Sequence, residues 1–555
     1  MDRLSGLPKT ILHDILAKLP NEDAVKTSVL SKAWRETWST FPRLHICSSY
    51  FINVHDLSTA NSVWHCSKDI LADYVMKRLL RFHEQGLIIK EFRLCMDYIG
   101  DFNYMSCHLD IWMKMICECG IKGLELHFPA DGDFFPTSEY CPDKWYNLPL
   151  CVTEAKSLTE LNLKGPIRIC RALFLNHSST IKLNSLRMLC LCSVLFEDEG
   201  VIKHLLSSCP LIEHFAMEDC CVYNPLSREN PLLSSPVKSL SLRGLQKLKR
   251  VYVSGIQEVY IDAPNLKSFY YVHCDFDDMD VPWKLNLDSC INLRWLRLCS
   301  MKNTAIAHKW FLELFDKFPY LETLQIHRCS MSERINISSS QLKFLDFLWC
   351  SNLKELNIDA PNLLSCDFRG NDTPVITFLS SSNKLKVNVF TDMDFQHYNL
   401  REFIQNIKPH QVLTSLSLFV DFPLDIELGV LQSVSSTPPH IRHLEFRRAP
   451  NREALYFPYL NWLLSSCCPE TISFLWQSSS YYIDIRPFIV FIYEMLMGRI
   501  GCCRSDHGNK CWWYALKNVK VTCSFITGDI VNIKTMLDAW PDSDAEENVR
   551  FILEL

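Results

Sequence analysis

The sequence predicts an α/β chain. A three-helix module comes first, then a solenoid of strand–turn–helix units with parallel strands on a concave face and helices on a convex face, then an α/β cap. Three observations predict it: a helical apolar period confined to the first forty-odd residues, a six-residue apolar frame recurring from residue 89 onward, and two phrases that repeat almost letter for letter.

A chain of 555 residues that is 48% hydrophobic has more apolar surface than one ordinary core needs, so several modules or a solenoid are expected. Its 57 basic and 63 acidic residues, a net charge of −6, are interspersed without a basic block that could track phosphates, which argues against a nucleic-acid partner. The stretch Met1 to Pro8 has no apolar run of signal-peptide length, so residence in the nucleus and/or cytoplasm is expected. The most membrane-like stretch, Ile485 to Met497, is interrupted by Arg486, Pro487 and Glu494 and is shorter than the roughly 20 apolar residues of a span, so no membrane anchor is expected. The 26 cysteines are scattered and none forms a Cys-x-x-Cys pair, which points to buried reduced thiols.

From Leu7 to Trp38 the pattern is helical. Leu7, Ile11, Ile15 and Leu19 fall four apart on one stripe, which Leu12 and Leu16 widen. Pro8 suits a first helical position, and Pro20 stops the segment because its ring cannot continue the hydrogen-bond ladder. Asn21 can cap a second helix carrying Ala24, Val25 and Val29, and Ser31 a third that presents Trp34 and Trp38. A unit this small has little core of its own, so part of its apolar surface is expected to be covered by a partner.

These residues carry a resemblance. Leu4-Ser5-Gly6-Leu7-Pro8, Ile11-Leu12, Ile15-Leu16, Leu19-Pro20, Val29-Leu30-Ser31-Lys32, Trp34-Arg35 and Trp38 resemble the F-box of plant proteins that join this motif to leucine-rich repeats and, often, a C-terminal FBD segment. The resemblance implies that residues 1–46 bind a Skp-family adaptor and through it a cullin scaffold and a ubiquitin-conjugating enzyme. It assigns the adaptor contact to Leu7, Pro8, Ile11, Leu12, Ile15, Leu16, Leu19, Pro20, Val29, Leu30, Trp34 and Trp38. A linking helical region, 47–88, follows.

The frame apolar-x-x-apolar-x-apolar, the strand signature of a leucine-rich repeat, begins at Ile89, Ile121, Leu158, Leu186, Ile212, Val237, Leu266, Leu293, Leu321, Leu342, Leu363, Leu413 and Ile441. Helical stretches such as Val201–Leu206 and Trp310–Phe315 lie between frames. The phrase Ile261-Asp262-Ala263-Pro264-Asn265-Leu266 recurs at Ile358 to Leu363, and Leu205-Leu206-Ser207-Ser208-Cys209-Pro210 is echoed from Leu463 to Pro469. Cys220, Cys274, Cys329 and Cys350 each stand three residues after the last apolar residue of a frame, where a small, buryable, weak donor suits the turn leaving the strand. Stacked repeats over 89–475 present a broad strand-lined surface, so an unknown target protein is expected there, with Arg243, Tyr270, Arg294, Arg297, Gln325 and Lys354 as candidate facing residues.

Residues 476–555 read as a cap similar to an FBD segment, with a strand at Leu516 to Val521 and a helix from Ile530 to Trp540, followed by an acidic stretch from Asp542 to Glu547. No phosphate loop, nucleophile elbow, His-Glu-x-x-His helix or dinucleotide fingerprint occurs, and no cofactor is expected. Cys502, Cys503, His507 and Cys511 beside Asp506 match no common zinc spacing, and Asp275, Asp277, Asp278 and Asp280 lack the glycine turn and closing glutamate of a calcium loop. The expected function is that of a non-catalytic substrate receptor of a cullin-based ubiquitin ligase. The alternatives are a non-degradative scaffold that sequesters its target, and an enzyme built around the Cys502–Cys511 cluster.

Overall fold

The computed structural model describes residues 7–51, 60–96, 102–128, 145–174, 183–223, 234–273, 283–301, 305–370, 374–380, 382–391, 400–420, 438–447, 449–450, 452–476, 484–498, 512–524, 533–538 and 547–554. It divides into two compact units, Met1–Asn292 and Leu293–Leu555.

The first unit opens with three helices, α1 (Lys9–Leu16), α2 (Asn21–Thr27) and α3 (Lys32–Ser39). Then come β1 (Arg43–Cys47), α4 (Ala60–Glu84), β2 (Glu91–Cys95), α5 (Phe102–Glu118) and β3 (Gly123–His127). The ladder β1–β2–β3 is parallel and continues through Glu160–Lys164, Met188–Cys192, His214–Glu218, Arg250–Ser254 and Ser268–Val272. Its register places the last frame residue of each strand in one row: Ile46, Leu94, Leu126, Leu163, Leu191, Met217, Val253 and Tyr271, all buried. A strand shows alternate faces, so the frame's period of two turns this row inward and leaves the residues between facing out.

In the second unit the parallel ladder runs through Trp295–Cys299, Thr323–His327, Phe344–Leu348, Ser365–Arg369, Lys386–Thr391, Leu416–Val420, His440–Phe446 and Cys468–Trp476. Leu298, Ile326, Phe347, Phe368, Val389 and Leu418 form its buried row. The final strand, Glu547–Glu554, pairs antiparallel with Cys468–Trp476 on one side and with Asn518–Cys523 on the other, which covers the last parallel edge. The strand expected at Leu516 to Val521 therefore lies two residues further on. Of the helix expected over Ile530 to Trp540, Ile533–Asp538 is described and helical, while most of the acidic stretch lies outside the described residues. The apolar stretch Ile485 to Met497 is the helix Arg486–Leu496, packed through Phe488, Ile489, Ile492 and Met495; no described helix is long and apolar enough to cross a membrane.

The connecting side of the repeats differs from the sequence reading in one respect. Helices occur where expected, with Val201–Leu206 inside Glu199–Ser207 and Trp310–Phe315 inside His308–Lys317. Elsewhere short parallel strands take that place: Ser239–Arg243, Glu258–Asp262 and Lys284–Asn286 in the first unit, and Arg334–Ser338, Glu355–Asp359, Val375–Ser380 and Ile407–Lys408 in the second. The frame at Val237 belongs to this second sheet, and the frame on the main ladder is Leu248-x-x-Val251-x-Val253. When both sides of a repeat are strands, both carry the period of two, and a six-residue frame cannot tell them apart. The main ladder also begins earlier than Ile89, with Phe41-x-x-Leu44-x-Ile46.

Seven strands of the two ladders leave through the same kind of turn. Two residues beyond the buried row the backbone is left-handed at Ser193, Asp219, Ser300, Arg328 and Trp349, and at Gly165 and Gly255. The next position is the cysteine slot. Cys220, Cys329 and Cys350 are buried there, and their thiols donate to the carbonyls of Leu191 (3.5 Å), Leu298 (3.7 Å) and Ile326 (3.2 Å), each in the preceding strand. Cys274 lies outside the described residues. The repeated phrases make matching bonds: Asn265 Nδ2 donates to Gln246 O and Asn362 Nδ2 to Ser340 O, both at 2.8 Å. Cys209 and Cys467 each donate to the carbonyl four residues back, of Leu205 and Leu463, at 3.2 and 3.5 Å.

Gly165 and Gly244 separate conformation from contact. Both have positive φ, +99° and +76°, but a Cβ on Gly165 would lie 2.2 Å from Phe128 O, whereas at Gly244 nothing stands within 4 Å. Gly244→Ala should cost about 1–2 kcal/mol from backbone strain alone, and Gly165→Ala at least about 1 kcal/mol more, read as the difference in urea unfolding midpoint.

Candidate functional site: a docking module and a strand face

The three-helix module has a small core of its own. Leu12 and Leu16 from α1, Ala24 from α2, Trp34 from α3 and Phe41 beyond it are buried, with Leu7, Ile15, Ala17 and Trp38 packed around them. Ser31 caps α3, its hydroxyl accepting from Trp34 N at 3.2 Å. Pro8 and Pro20 sit at the cap positions of α1 and α2, with ψ of 142° and 147°, so Asn21 opens α2 instead of capping it. Proline's fixed φ suits this extended residue as well as the first helical one. Lys9 joins Glu36 of α3 at 2.8 Å, a bond that holds the Glu36 carboxyl below its usual range. Arg78 of α4 donates to Trp38 O at 3.1 Å and lies 5.1 Å above the Trp38 ring, which ties α3 to the first repeat helix.

The structure divides the twelve residues expected at the adaptor contact. Leu12, Leu16 and Trp34 are 1–3% exposed, so they cannot meet a partner; they are what the helices fold around. Leu7, Ile15 and Trp38 are half-buried against that core. Pro8, Ile11, Leu19, Pro20, Val29 and Leu30 are exposed, Val29 by 77% and Leu30 by 68%. Val25, which the sequence reading placed with Ala24 on α2, belongs with the exposed group. Consecutive helical residues point about 100° apart, so only one of the pair can face the core.

The outward face of the second unit's ladder carries a polar network. Trp295 Nε1 donates to Gln325 Oε1 (3.1 Å), Gln325 Nε2 to Asp346 Oδ2 (3.1 Å), and His327 Nε2 to the same oxygen (3.0 Å). Near the strand ends Arg369 lies 4.4 Å from the Trp349 ring, and Arg447 lies 5.2 and 5.0 Å from Phe390 and Phe419, which stack on each other at 4.5 Å. Of the candidate facing residues, Arg297 and Gln325 lie on this face, and Arg294 precedes it, paired with Glu322 at 3.1 Å. Tyr270 lies on the first unit's ladder, its ring 4.8 Å from that of Tyr252. Arg243 and Lys354 do not belong with them. Arg243 ends a strand of the second sheet, and Lys354 precedes another and pairs with Glu333. Arg243 was placed by a frame that marks either sheet equally well, whereas Lys354 lies in none of the frames.

Among the described residues no cluster of histidine, cysteine and carboxylate groups could hold a metal. Cys502, Cys503, Asp506, His507 and Cys511 lie outside those residues, as do Asp275, Asp277, Asp278 and Asp280.

The division of the module has a direct consequence for stability. Trp34→Ala should destabilise it by about 3–5 kcal/mol, whereas Leu30→Ala should change stability by no more than about 0.5 kcal/mol, measured by thermal melting followed by tryptophan fluorescence and circular dichroism.

Comparison with known proteins agrees with this architecture. The F-box domain family matches residues 4–46, and the leucine-rich-repeat domain family of the At1g61320/AtMIF1 type matches 79–281 and 273–419, more than half of the chain. Among curated relatives, the F-box/FBD/LRR-repeat protein At2g04230 of Arabidopsis thaliana is 24% identical over 392 residues, covering 71% of this chain and 75% of that one. The FBD-associated F-box protein At4g13985 of Arabidopsis thaliana is 25% identical over 394 residues, covering 64% and 76%. The F-box/FBD/LRR-repeat protein At1g78750 of the same plant is 23% identical over 481 residues, covering 80% and 94%. Families of this construction are generally non-catalytic adaptors. With its helical module matched by one family and its ladder of parallel strands by the other, the chain belongs to the plant F-box/leucine-rich-repeat proteins.

Proposed function

We propose that this protein is a substrate-receptor subunit of an SCF-type cullin-RING ubiquitin ligase. The observation that carries the reading is the F-box match over residues 4–46 together with the exposure of Pro8, Ile11, Leu19, Pro20, Val25, Val29 and Leu30 on that same small module. Apolar side chains left in water on a module with so little core are what a docking surface for a Skp-family adaptor requires. Leu12, Leu16 and Trp34 hold the three helices in place without touching the partner.

The strand face supplies the other half of the function. Its outward residues, among them Arg297, Gln325, Asp346 and Arg369, would hold a target protein while the adaptor tethers the receptor to the cullin scaffold. Tethering raises the effective concentration of target lysines beside the ubiquitin-charged enzyme, and the bond-making stays on other subunits. The receptor itself contributes no catalytic group, and the reading puts it in the nucleus and/or cytoplasm.

Co-purification of the full chain with a Skp-family adaptor tests this. Two exposed aliphatic side chains at an interface contribute on the order of 3 kcal/mol, so the double substitution Val29→Ser, Leu30→Ser should weaken adaptor capture by about a hundredfold, with an unchanged circular dichroism spectrum. Equal capture of the folded double variant would remove these residues from the contact. A folded wild-type chain that captures no adaptor would overturn the ligase reading and leave a sequestering scaffold in its place.

A further inference from the structure

We propose that the row Arg328, Trp349, Arg369, Phe390, Phe419 and Arg447, at the C-terminal edge of the second unit's parallel ladder, docks an acidic segment of a partner protein and reads it through its side-chain carboxylates. The inference deepens the ligase reading and rests on it only in calling that partner the target. The docking itself needs no adaptor.

The ladder brings these side chains into line. On successive strands Leu348 stands opposite Arg369, Arg369 opposite Phe390, and Phe390 opposite Phe419. Backbone bonds continue the row at both ends: Arg328 N donates to Leu348 O at 2.7 Å, Trp349 N to Arg369 O, and Arg447 N to Val420 O at 3.1 Å. The Arg369 guanidinium lies 4.4 Å from the centre of the Trp349 ring, and that of Arg328 5.2 Å from the same ring. Arg369 is also 6.0 Å from Phe390, and Arg447 reaches both Phe390 and Phe419, at 5.2 and 5.0 Å. A guanidinium held over a ring is fixed in place while its planar fork of N–H donors stays directed outward, where one carboxylate can accept from two of them at once.

Two features set this edge apart from an ordinary solvated strand end. Arg328 and Trp349 are both left-handed, with φ of 52°, whereas the other five turns of this kind hold glycine, serine or aspartate. A large side chain there costs about 1–2 kcal/mol of backbone strain and gains little burial, since Arg328 is exposed and Trp349 is 36% exposed. Strain of this kind is kept where a side chain has to be aimed at a ligand. The second feature is charge. Three guanidiniums stand in the row, and Glu445, opposite Phe419, pairs with one of them, 3.2 Å from Arg447. The carboxylates of the neighbouring outward row, Asp346 and Asp367, accept from His327 and Gln325 and from Ser365 and Asn388. The edge thus combines excess positive charge with aromatic surface, and arginine and aromatic side chains are the ones that carry most of the binding energy at protein interfaces.

The spacing selects an extended polypeptide as the occupant. Neighbouring strands lie about 4.8 Å apart, so Arg328 and Arg369, two strands apart, are separated by about 10 Å, which roughly three residues of extended chain span. Arg447 lies three strands beyond Arg369, about 14 Å, or roughly four residues more. A free phosphate is too small to join these guanidiniums. Single-stranded nucleic acid is held by bases stacking on open ring faces, and here guanidiniums lie over the rings while Phe390 and Phe419 stack on each other at 4.5 Å.

The experiment is fluorescence anisotropy of the full chain with a fluorescein-labelled peptide of four Glu-Glu-Ser repeats, beside its Gln-Gln-Ser analogue and an oligodeoxythymidine of equal length. The glutamate peptide should bind at least about tenfold more tightly than either comparison ligand. Arg328→Gln and Arg369→Gln should each weaken it by about tenfold, and Trp349→Leu, which changes no charge, by about threefold. Lys309→Gln, on the helix His308–Lys317 away from the row, should leave it unchanged. Circular dichroism of each variant confirms the fold, and the wild-type comparison of the three ligands needs no variant. Equal binding of the glutamate and glutamine peptides, tighter binding of the oligonucleotide, or unchanged affinity in the folded Arg328, Arg369 and Trp349 variants would overturn the proposal. The assay contains no adaptor, so failure of the ligase reading and failure of this one give separate results.

Discussion

The rest of the structure depends on the burial of the frame residues in register along the parallel ladders. In the first unit the row from Ile46 to Tyr271 brings one apolar side chain from every strand, and each is covered by its neighbours in adjacent repeats. Fully burying such a side chain is worth about 1.5–3 kcal/mol, and no repeat can collect that alone. The constraint also sets the function of the opposite face. Because successive residues alternate, a strand that commits Leu296 and Leu298 to the interior must present Trp295, Arg297 and Cys299 outward. An array of outward rows on a rigid interior is a surface that can vary in chemistry without disturbing the fold.

Cysteine shows how one residue type takes two parts in this arrangement. In the turn after the strand, Cys220, Cys329 and Cys350 are small enough to be buried and donate to a carbonyl of the preceding strand, and burial keeps those thiols protonated. Cys299 sits two residues short of that slot, on the outward row, where its neighbours are side chains of the next strands instead of backbone carbonyls. The left-handed residues between, such as Ser300 and Arg328, turn the chain from one environment to the other. A shift of two or three positions thus separates a packing thiol from one surrounded by ionisable groups.

Much of the architecture was legible because its signals are local. The helices of the N-terminal module follow from an apolar stripe and two prolines, and the Ser31 cap followed from side-chain chemistry alone. The expected strand frames fell on strands, and the repeated phrases fold alike because Asn265 and Asn362 meet the same carbonyl in the repeat before. Reading stopped where one pattern serves two environments. Val237 and Leu248 open identical frames on different sheets, which misplaced Arg243, and the F-box stripe mixes the buried Leu12 and Leu16 with the exposed Ile11 and Leu19.

The sequence by itself determined the order of modules, the period of the repeats and the residue types that fill the inward rows, since apolar periodicity, prolines and small turn residues act over a few positions. Only the tertiary structure decided which sheet each frame joins, which F-box side chains stay in water, and that Trp295, Gln325, His327 and Asp346 meet. Those outcomes depend on register between strands separated by a whole repeat. Register is set by the sum of many buried contacts across neighbouring units, and no short stretch of chain contains that sum.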